Sequence, residues 1–229
     1  MPKCAIRMQD FLSNVPLFRN LDRAQLARLA RGASELEAPR GSVVYNRGDP
    51  CTGLYAVVYG QIKLALQTGR GDETVLDLVG TGATFGEAPL FSGRPHILAA
   101  AALEDSKLLH VAKDTLLEEV ERDTRFCRRL LETVGERLYR RYSEFEDYVL
   151  ASGTERVIGF LLRVKNGGPD HDAVCITLPA SKGVIASRLH LTHEHFSRIL
   201  RELMTAGLIE VDGREVRIRD VKRLYGYAA

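Results

Sequence analysis

Residues 189–203 read LHLTHEHFSRILREL, and three of the chain's six histidines, His190, His193 and His195, fall within six positions of it. With Thr192 as the N-cap of a helix running to about Ala206, a turn of roughly 100° per residue gathers Phe196, Ile199, Leu200 and Leu203 on one face. Glu194, Ser197, Arg198 and Arg201 fall on the opposite face. His193 and His195 come out about 200° apart, flanking the polar face on its two sides, so one ion cannot take both without unwinding the helix. His190 and His193 remain a conceivable pair, but no cysteine or third imidazole stands near to complete a tetrahedral set. No metal site is expected here.

What is left is a helix with an apolar underside and an outward face of one acid, one hydroxyl and two arginines. Arginine can donate twice to guanine, glutamate can accept from the amino group of cytosine, serine can serve several bases, and a helix fits the major groove. Alone, such a face reads equally well as solvated surface. Upstream, however, LPASKGVIASRLHL predicts a short helix over about 181–188 with Val184, Ile185 and Leu189 apolar, then a tight turn before Thr192. Downstream, GLIEVDGREVRIRD offers Gly207 as a helix stop and two alternating strands about a turn at Asp212–Gly213. Helix, turn, helix and hairpin make a winged helix-turn-helix.

The chain of 229 residues, 45% hydrophobic and 27% charged, is long enough for two domains with separate cores. The net charge of +2 conceals a mild asymmetry, since residues 151–229 hold 12 Lys and Arg against 9 Asp and Glu, and the rest 20 against 21. That excess permits nucleic-acid binding without arguing for it. Cys4, Cys51, Cys127 and Cys175 are scattered, with no CxxC pair and no N-terminal apolar secretory stretch, which reads as reduced thiols in a cytoplasm. The longest apolar tracts, such as HILAAAAL (96–103), fall far short of a membrane span, so no membrane partner is expected.

Helical spacing with starts at Asn20 and Asp22 predicts short helices around QDFLSNVPLF and LDRAQLARLARG. From about 36 to 113, glycines such as Gly41, Gly60, Gly69, Gly71 and Gly86 punctuate the runs SVVYN, LYAVVY, QIKLAL, TVLDLV and KLLHVA, the pattern of an all-β sandwich or barrel. Residues 114–150 lack proline, and Leu131, Val134, Leu138, Phe145 and Tyr148 follow a 4-3 spacing with Arg141 or Tyr142 at the interrupted position. A long amphipathic helix with such a seam pairs with another helix. Packing on its own domain is the alternative, disfavoured because Arg122, Arg128, Arg129, Arg137 and Arg140 leave little apolar width beyond one seam. A homodimer through Leu131, Val134, Leu138 and Phe145 is expected. A polar break at 152–154 and the loop KNGGPDHD (165–172) place the start of the last domain near 151. The expected domains are thus 1–114, 115–150 and 151–229, in an α+β chain.

With these parts in place, the sequence resembles the CRP/FNR superfamily of bacterial transcription regulators across nearly its whole length. The motifs that carry the resemblance are GSVVYNRGD (41–49), LYAVVYGQIKL (54–64), TGATFGEAPLFSG (81–93), ALEDSKLLHV (102–111) and LTHEHFSRILRELMTAGLIEVDGREVRI (191–218). The resemblance implies a double-stranded β-helix of cyclic-nucleotide-binding type, a long dimerisation helix and a winged helix-turn-helix. It implies double-stranded DNA and RNA polymerase as partners, an activator role and a small-molecule or gas effector. The recognition helix is similar to the FNR and Dnr type, whose Glu-x-x-Ser-Arg core stands here as Glu194, Ser197 and Arg198, with His193 where CRP-type helices carry their first base-reading arginine. TTGAT-like half-sites in an inverted repeat follow from that likeness, and Arg201 and Lys182 complete the DNA-contact set.

The same resemblance assigns Gly86, Glu87, His96, Ile97, Arg141 and Tyr142 to the effector pocket. His96 and Ile97 replace the arginine and serine that grip the cyclic phosphate in CRP, exchanging a forked cation for a mostly neutral ring and a hydroxyl for hydrocarbon. Arg141 and Tyr142 replace the two hydroxyl residues that meet adenine. Cyclic AMP is therefore not the expected effector. The FNR iron–sulfur cluster needs more cysteines than Cys4 and Cys51 provide, so none is expected. Likeness to the Dnr type brings haem into consideration, with His96 beside the pocket as the better ligand. His110, alternating with apolar neighbours, is assigned to the solvent side of the barrel. Cys51 and Cys127 leave oxidation sensing as a minor option. Two other functions compete: a cyclic-nucleotide-binding module acting through protein contacts, and a metal-dependent hydrolase built on the histidine cluster. For the hydrolase no paired carboxylates or nucleophile–base set is present; the chain is not expected to be an enzyme.

Overall fold

The computed structural model describes residues 8–19, 21–67, 73–164 and 173–228; Cys4, Asn20, Gly69, Gly71 and the loop 165–172 lie outside them. The chain divides into two compact units, Met1–Tyr139 and Arg140–Ala229.

The first unit opens with α1 (Met8–Asn14), a short 3-10 turn and α2 (Arg23–Arg31). Asp22 caps α2 by accepting from the Gln25 N–H at 2.8 Å, and the Gln25 side chain accepts from the Asp22 N–H at 2.8 Å, so two orphan donors of the first turn are satisfied reciprocally. Among the described residues eight strands follow: β1 (Ala33–Ala38), β2 (Val43–Tyr45), β3 (Gly53–Tyr59), β4 (Ile62–Gln67), β5 (Glu73–Val79), β6 (Thr84–Phe85), β7 (Ala99–Ala102) and β8 (Ser106–Ala112). They form two antiparallel four-stranded sheets in the orders β1-β8-β3-β6 and β2-β7-β4-β5.

The pleat explains why β3 and β8 read as continuous apolar runs. Leu54, Ala56, Leu109 and Val111 enter a core shared with the N-terminal helices, while Tyr55, Val57 and Leu108 enter a second core with Ile62, Val79 and Ala100 of the other sheet. Both faces are covered. The parity corrects the placement of His110: it shares the face of Leu108, is half-buried, and its ring lies 4.7 Å from that of Tyr55. At the β3–β4 turn Gly60 holds φ +92°, and a Cβ there would overlap Ser106, whose hydroxyl accepts from the Gln61 N–H at 3.1 Å.

The expected runs correspond to β2, β3, β4, β5 and β8. Strand β7 is four alanines, a composition with weak strand preference, and it forms because it is paired on both edges, by β2 and β4. The single helix expected over 115–150 is two: α3 (Lys113–Arg122) and α4 (Thr124–Leu150). Asp123 separates them in extended backbone, and its carboxylate accepts from the Arg125 N–H at 2.8 Å, capping α4. Helix α3 is tied to α2 by the Arg28 guanidinium, which donates to both carboxylate oxygens of buried Glu119 at 2.7 and 2.8 Å.

The second unit holds the last turns of α4, then α5 (Gly153–Val164), β9 (Val174–Thr177), α6 (Lys182–Arg188), α7 (His193–Thr205), β10 (Ile209–Asp212), β11 (Glu215–Ile218) and α8 (Val221–Ala228). Its core is formed by Val157, Leu161, Ile185, Phe196, Ile199, Leu203, Val216 and Leu224, all buried. Gly207 ends α7 at φ +68°, where its N–H donates to Met204 O at 2.9 Å and that of Leu208 to Leu203 O at 3.0 Å, a Schellman closure. In the hairpin Asp212 pairs with Glu215, so the two-residue loop is Gly213–Arg214, one position later than expected. Strand β9 pairs with β11 as a third strand; neither it nor α8 was marked in the sequence by a strong pattern. No described helix is long and apolar enough to cross a membrane.

Candidate nucleic-acid interface and sensor site

The Thr192 hydroxyl accepts from the His195 N–H at 3.2 Å and starts α7 where the sequence predicts. Phe196, Ile199, Leu200 and Leu203 are buried beneath the helix, whereas His193, Glu194, Arg198 and Arg201 are exposed and Ser197 is half-buried. Lys182 opens α6, half-buried, after the Ser181 cap. Among the described residues Arg198 meets only Glu202, at 3.8 Å, with both groups more than half exposed, a contact weak enough to release its fork to another acceptor. The Glu194 carboxyl is held below the ordinary range by its own backbone N–H and by the Thr192 hydroxyl, so it stands ready as an acceptor. This face can read base edges. Among the described residues, no group of three or more His, Cys, Asp and Glu is placed to hold a metal ion.

In the first unit, Gly86 (φ +92°) follows β6 and a Cβ there would press on the Tyr55 ring at 3.2 Å. Glu87 next to it pairs with Arg137 of α4. The other terminal nitrogen of Arg137 donates to Thr84 O and, at 2.9 Å, to Thr84 Oγ1. Glu87 Oε2 is buried without a hydrogen-bond partner among the described residues. Beside this pair lies an aromatic stack: Tyr45 against His96 (3.8 Å, 12°), Tyr45 near Tyr55 (5.7 Å), and Tyr55 against Phe85 (5.1 Å). Burial pushes the Tyr45 phenol up and the His96 imidazole down, the latter against the opposing charges of Asp49 and Glu87.

The structure thus gathers Gly86, Glu87 and His96 but leaves Ile97 65% exposed. Arg141 and Tyr142 belong to the second unit, where Arg141 donates to Glu144 at 2.6 Å and Tyr142 is exposed. Haem at His96 does not fit. The residue is 4% exposed, one ring face is closed by Tyr45, and its backbone is pinned by bonds with Asp49 O (2.9 Å) and the Gly48 N–H (2.7 Å). His110 is engaged with Thr52 Oγ1 at 3.1 Å. Arg137 and Tyr45 were missed as site residues. Arg137 stands seven residues after buried Leu130 and eleven after buried Phe126, a spacing that returns to the same helix face and signals that it turns inward.

A two-sheet domain followed by a winged helix-turn-helix defines a DNA-binding regulator of transcription. The cyclic nucleotide-binding domain matches residues 35–123 and the Crp-like helix-turn-helix domain residues 155–227. The chain is 24% identical over 219 residues to the CRP-like cAMP-activated global transcriptional regulator of Mycobacterium tuberculosis, covering 95% of this chain and 98% of that protein. The solved structure of FixK2 from Bradyrhizobium japonicum superposes with a TM-score of 0.75 at 26% identity, covering 86% of this chain and 98% of that one. DNR from Pseudomonas aeruginosa is 29% identical with a TM-score of 0.51, over 96% of each chain. The chain belongs to the CRP/FNR family of transcription regulators, whose members bind DNA and act as dimers and are not enzymes.

Proposed function

We propose that this chain is a cytoplasmic homodimeric regulator, acting as an activator through RNA polymerase, that reads an inverted repeat of TTGAT-like half-sites. Arg198 donates to guanine, with Glu194 and Ser197 on neighbouring bases and His193, Arg201 and Lys182 around them. The observation that carries this reading is the division of α7: four buried apolar side chains seat it, and His193, Glu194, Arg198 and Arg201 stay exposed. The Glu-x-x-Ser-Arg core of α7, Glu194, Ser197 and Arg198, resembles the FNR and Dnr type and supports the half-site assignment. Leu131, Val134, Leu138 and Phe145 of α4 are exposed in the single chain and supply the seam for the second copy. Two identical reading helices then meet two half-sites related by the same two-fold axis.

The effector we infer is a small molecule other than cyclic AMP, although the mycobacterial relative is named as cAMP-activated. The buried ring of His96 and the exposed hydrocarbon of Ile97 offer no fixed cation to a cyclic phosphate. The sensor favours a ligand whose donor meets Glu87 Oε2 and which competes with Arg137 for that carboxylate.

A gel shift with a TTGAT-N4-ATCAA duplex against a scrambled duplex tests the reading. A specific, salt-sensitive shift is expected, and its absence under every effector tried refutes operator binding. A cyclic-nucleotide module working through protein contacts alone, supported by the match over residues 35–123, predicts nucleotide binding with no such shift.

A further inference from the structure

The turn between α6 and α7 departs from the usual economy of a helix end. His190 sits at φ +54°, the one non-glycine described residue with positive φ. Its N–H donates to Ser187 O at 3.0 Å and that of Leu191 to Ala186 O at 2.9 Å, so His190 occupies the left-handed position of a Schellman closure where glycine carries no penalty. An imidazole there must be supported by something outside the turn.

The support comes from the end of α4 and from α5, all within the second unit. The Tyr148 ring lies 4.5 Å from the His190 ring at 56°. The Arg156 guanidinium stands over the Tyr148 ring, 5.3 Å from its centroid, and its Nη1 donates to Leu189 O at 2.7 Å, within the turn itself. Arg188, the last residue of α6, donates to Glu144 at 3.3 Å, and Glu144 also accepts from Arg141 at 2.6 Å. On the far side of the turn α5 approaches so closely that a Cβ on Gly153 would meet Leu191 Cδ2 at 3.2 Å and His195 Cε1 at 3.3 Å. The backbone just before the reading helix is therefore clamped at Arg188, Leu189 and His190 by side chains of α4 and α5, outside the reading face of α7.

We infer that His190, Tyr148 and Arg156 are positioning residues for DNA reading: they lock the turn before α7 to the last turns of the long helix and so fix the direction in which Arg198 and Glu194 are presented. This rests on the base-reading role proposed for α7. A strained left-handed histidine is retained because its ring, which glycine lacks, is the piece the long helix holds. Binding then avoids the cost of ordering the turn on the operator.

The test uses His190→Gly in the full chain, because glycine suits the left-handed turn and removes only the ring, and Tyr148→Leu as a second variant. His190→Gly is expected to unfold thermally at about the wild-type temperature and Tyr148→Leu somewhat earlier; both should stay folded and keep salt-dependent binding to scrambled DNA, yet lose about tenfold in affinity for the TTGAT repeat. Operator affinity equal to wild type in His190→Gly overturns the proposal, as does equal weakening on scrambled DNA. Should the wild-type chain shift no operator, the base-reading role fails on its own, and the clamp is judged by NMR. The His190 ring protons are expected upfield from Tyr148 shielding and to relax in Tyr148→Leu; unshielded protons in the wild type overturn the clamp.

Discussion

Arg137 and Glu87 form an ion pair at the mouth of the sensor sheets, and the same guanidinium donates to the carbonyl and hydroxyl of Thr84. The pair uses one carboxylate oxygen and leaves Glu87 Oε2 buried without a partner among the described residues. A half-satisfied buried carboxylate is a place where a ligand with a donor gains more than water would.

Replacing Arg137 by Ala is expected to strip Glu87 of its cation and to destabilise the chain by about 1–2 kcal/mol, read as a lower urea midpoint at unchanged m-value. Lysine at the same position should recover less than half of the loss, since a single ammonium cannot reach Glu87 and Thr84 as a planar fork does. An unchanged midpoint in Arg137→Ala would show the contact to be incidental.

The recognition helix was legible because every level agreed: Thr192 as cap, a 3-4 apolar spacing from Phe196 to Leu203, and Gly207 as stop. The β-rich half was legible in outline from β-branched runs between glycines. What was hidden depends on partners distant in sequence. Strand β7 is alanine and exists by being paired on both edges. Asp123 looked like one more polar residue in a helical stretch, and becomes a break only by capping α4. Tyr148 was read as part of a seam, and its contact with His190, forty-two positions on, has no signature in either local pattern. His110 was misplaced because the alternation LLHV was taken to have one solvent face, whereas β8 is covered on both.

Burial holds the His96 imidazole below its ordinary pKa of 6.5. The unfolded chain therefore takes up a proton around pH 6.5 that the folded chain refuses until a lower pH, so this group costs stability as pH falls through and below that value. His96→Phe should keep the stack on Tyr45 while removing the proton site. Its unfolding free energy is expected to vary less than wild type between about pH 7 and pH 5. Burial also lowers His110 and His190, so part of the slope should remain. An unaltered slope would mean that His96 titrates normally.

The exposed seam of α4 predicts association. Leu138 is 53% exposed in the single chain and lies one heptad from Leu131 and from Phe145, both more than 60% exposed. Leu138→Glu places a charge in the centre of the seam and should convert a dimer at micromolar concentration to monomer in sedimentation, with folding retained because the site is not in the monomer core. Operator binding should fall with it, since one reading helix meets one half-site. A variant that sediments as a dimer would place the interface elsewhere.

Arg198 sits on the exposed face of α7, where its ion pair is a 3.8 Å contact with Glu202. If it forks onto guanine, Arg198→Ala should lose about 1–3 kcal/mol of discrimination at that base pair while binding to scrambled DNA falls far less. The measurement is a competition titration of wild type and variant against the TTGAT repeat, against the repeat with its guanine replaced, and against scrambled duplex, each at two salt concentrations. For the wild type the guanine replacement should weaken binding; for the variant it should make little difference. The salt slope should be nearly the same for both, because a base contact releases no condensed counterion. If the variant instead weakens on all three duplexes equally and its salt slope drops by about one, Arg198 holds a phosphate, and sequence reading passes to Glu194 and Ser197.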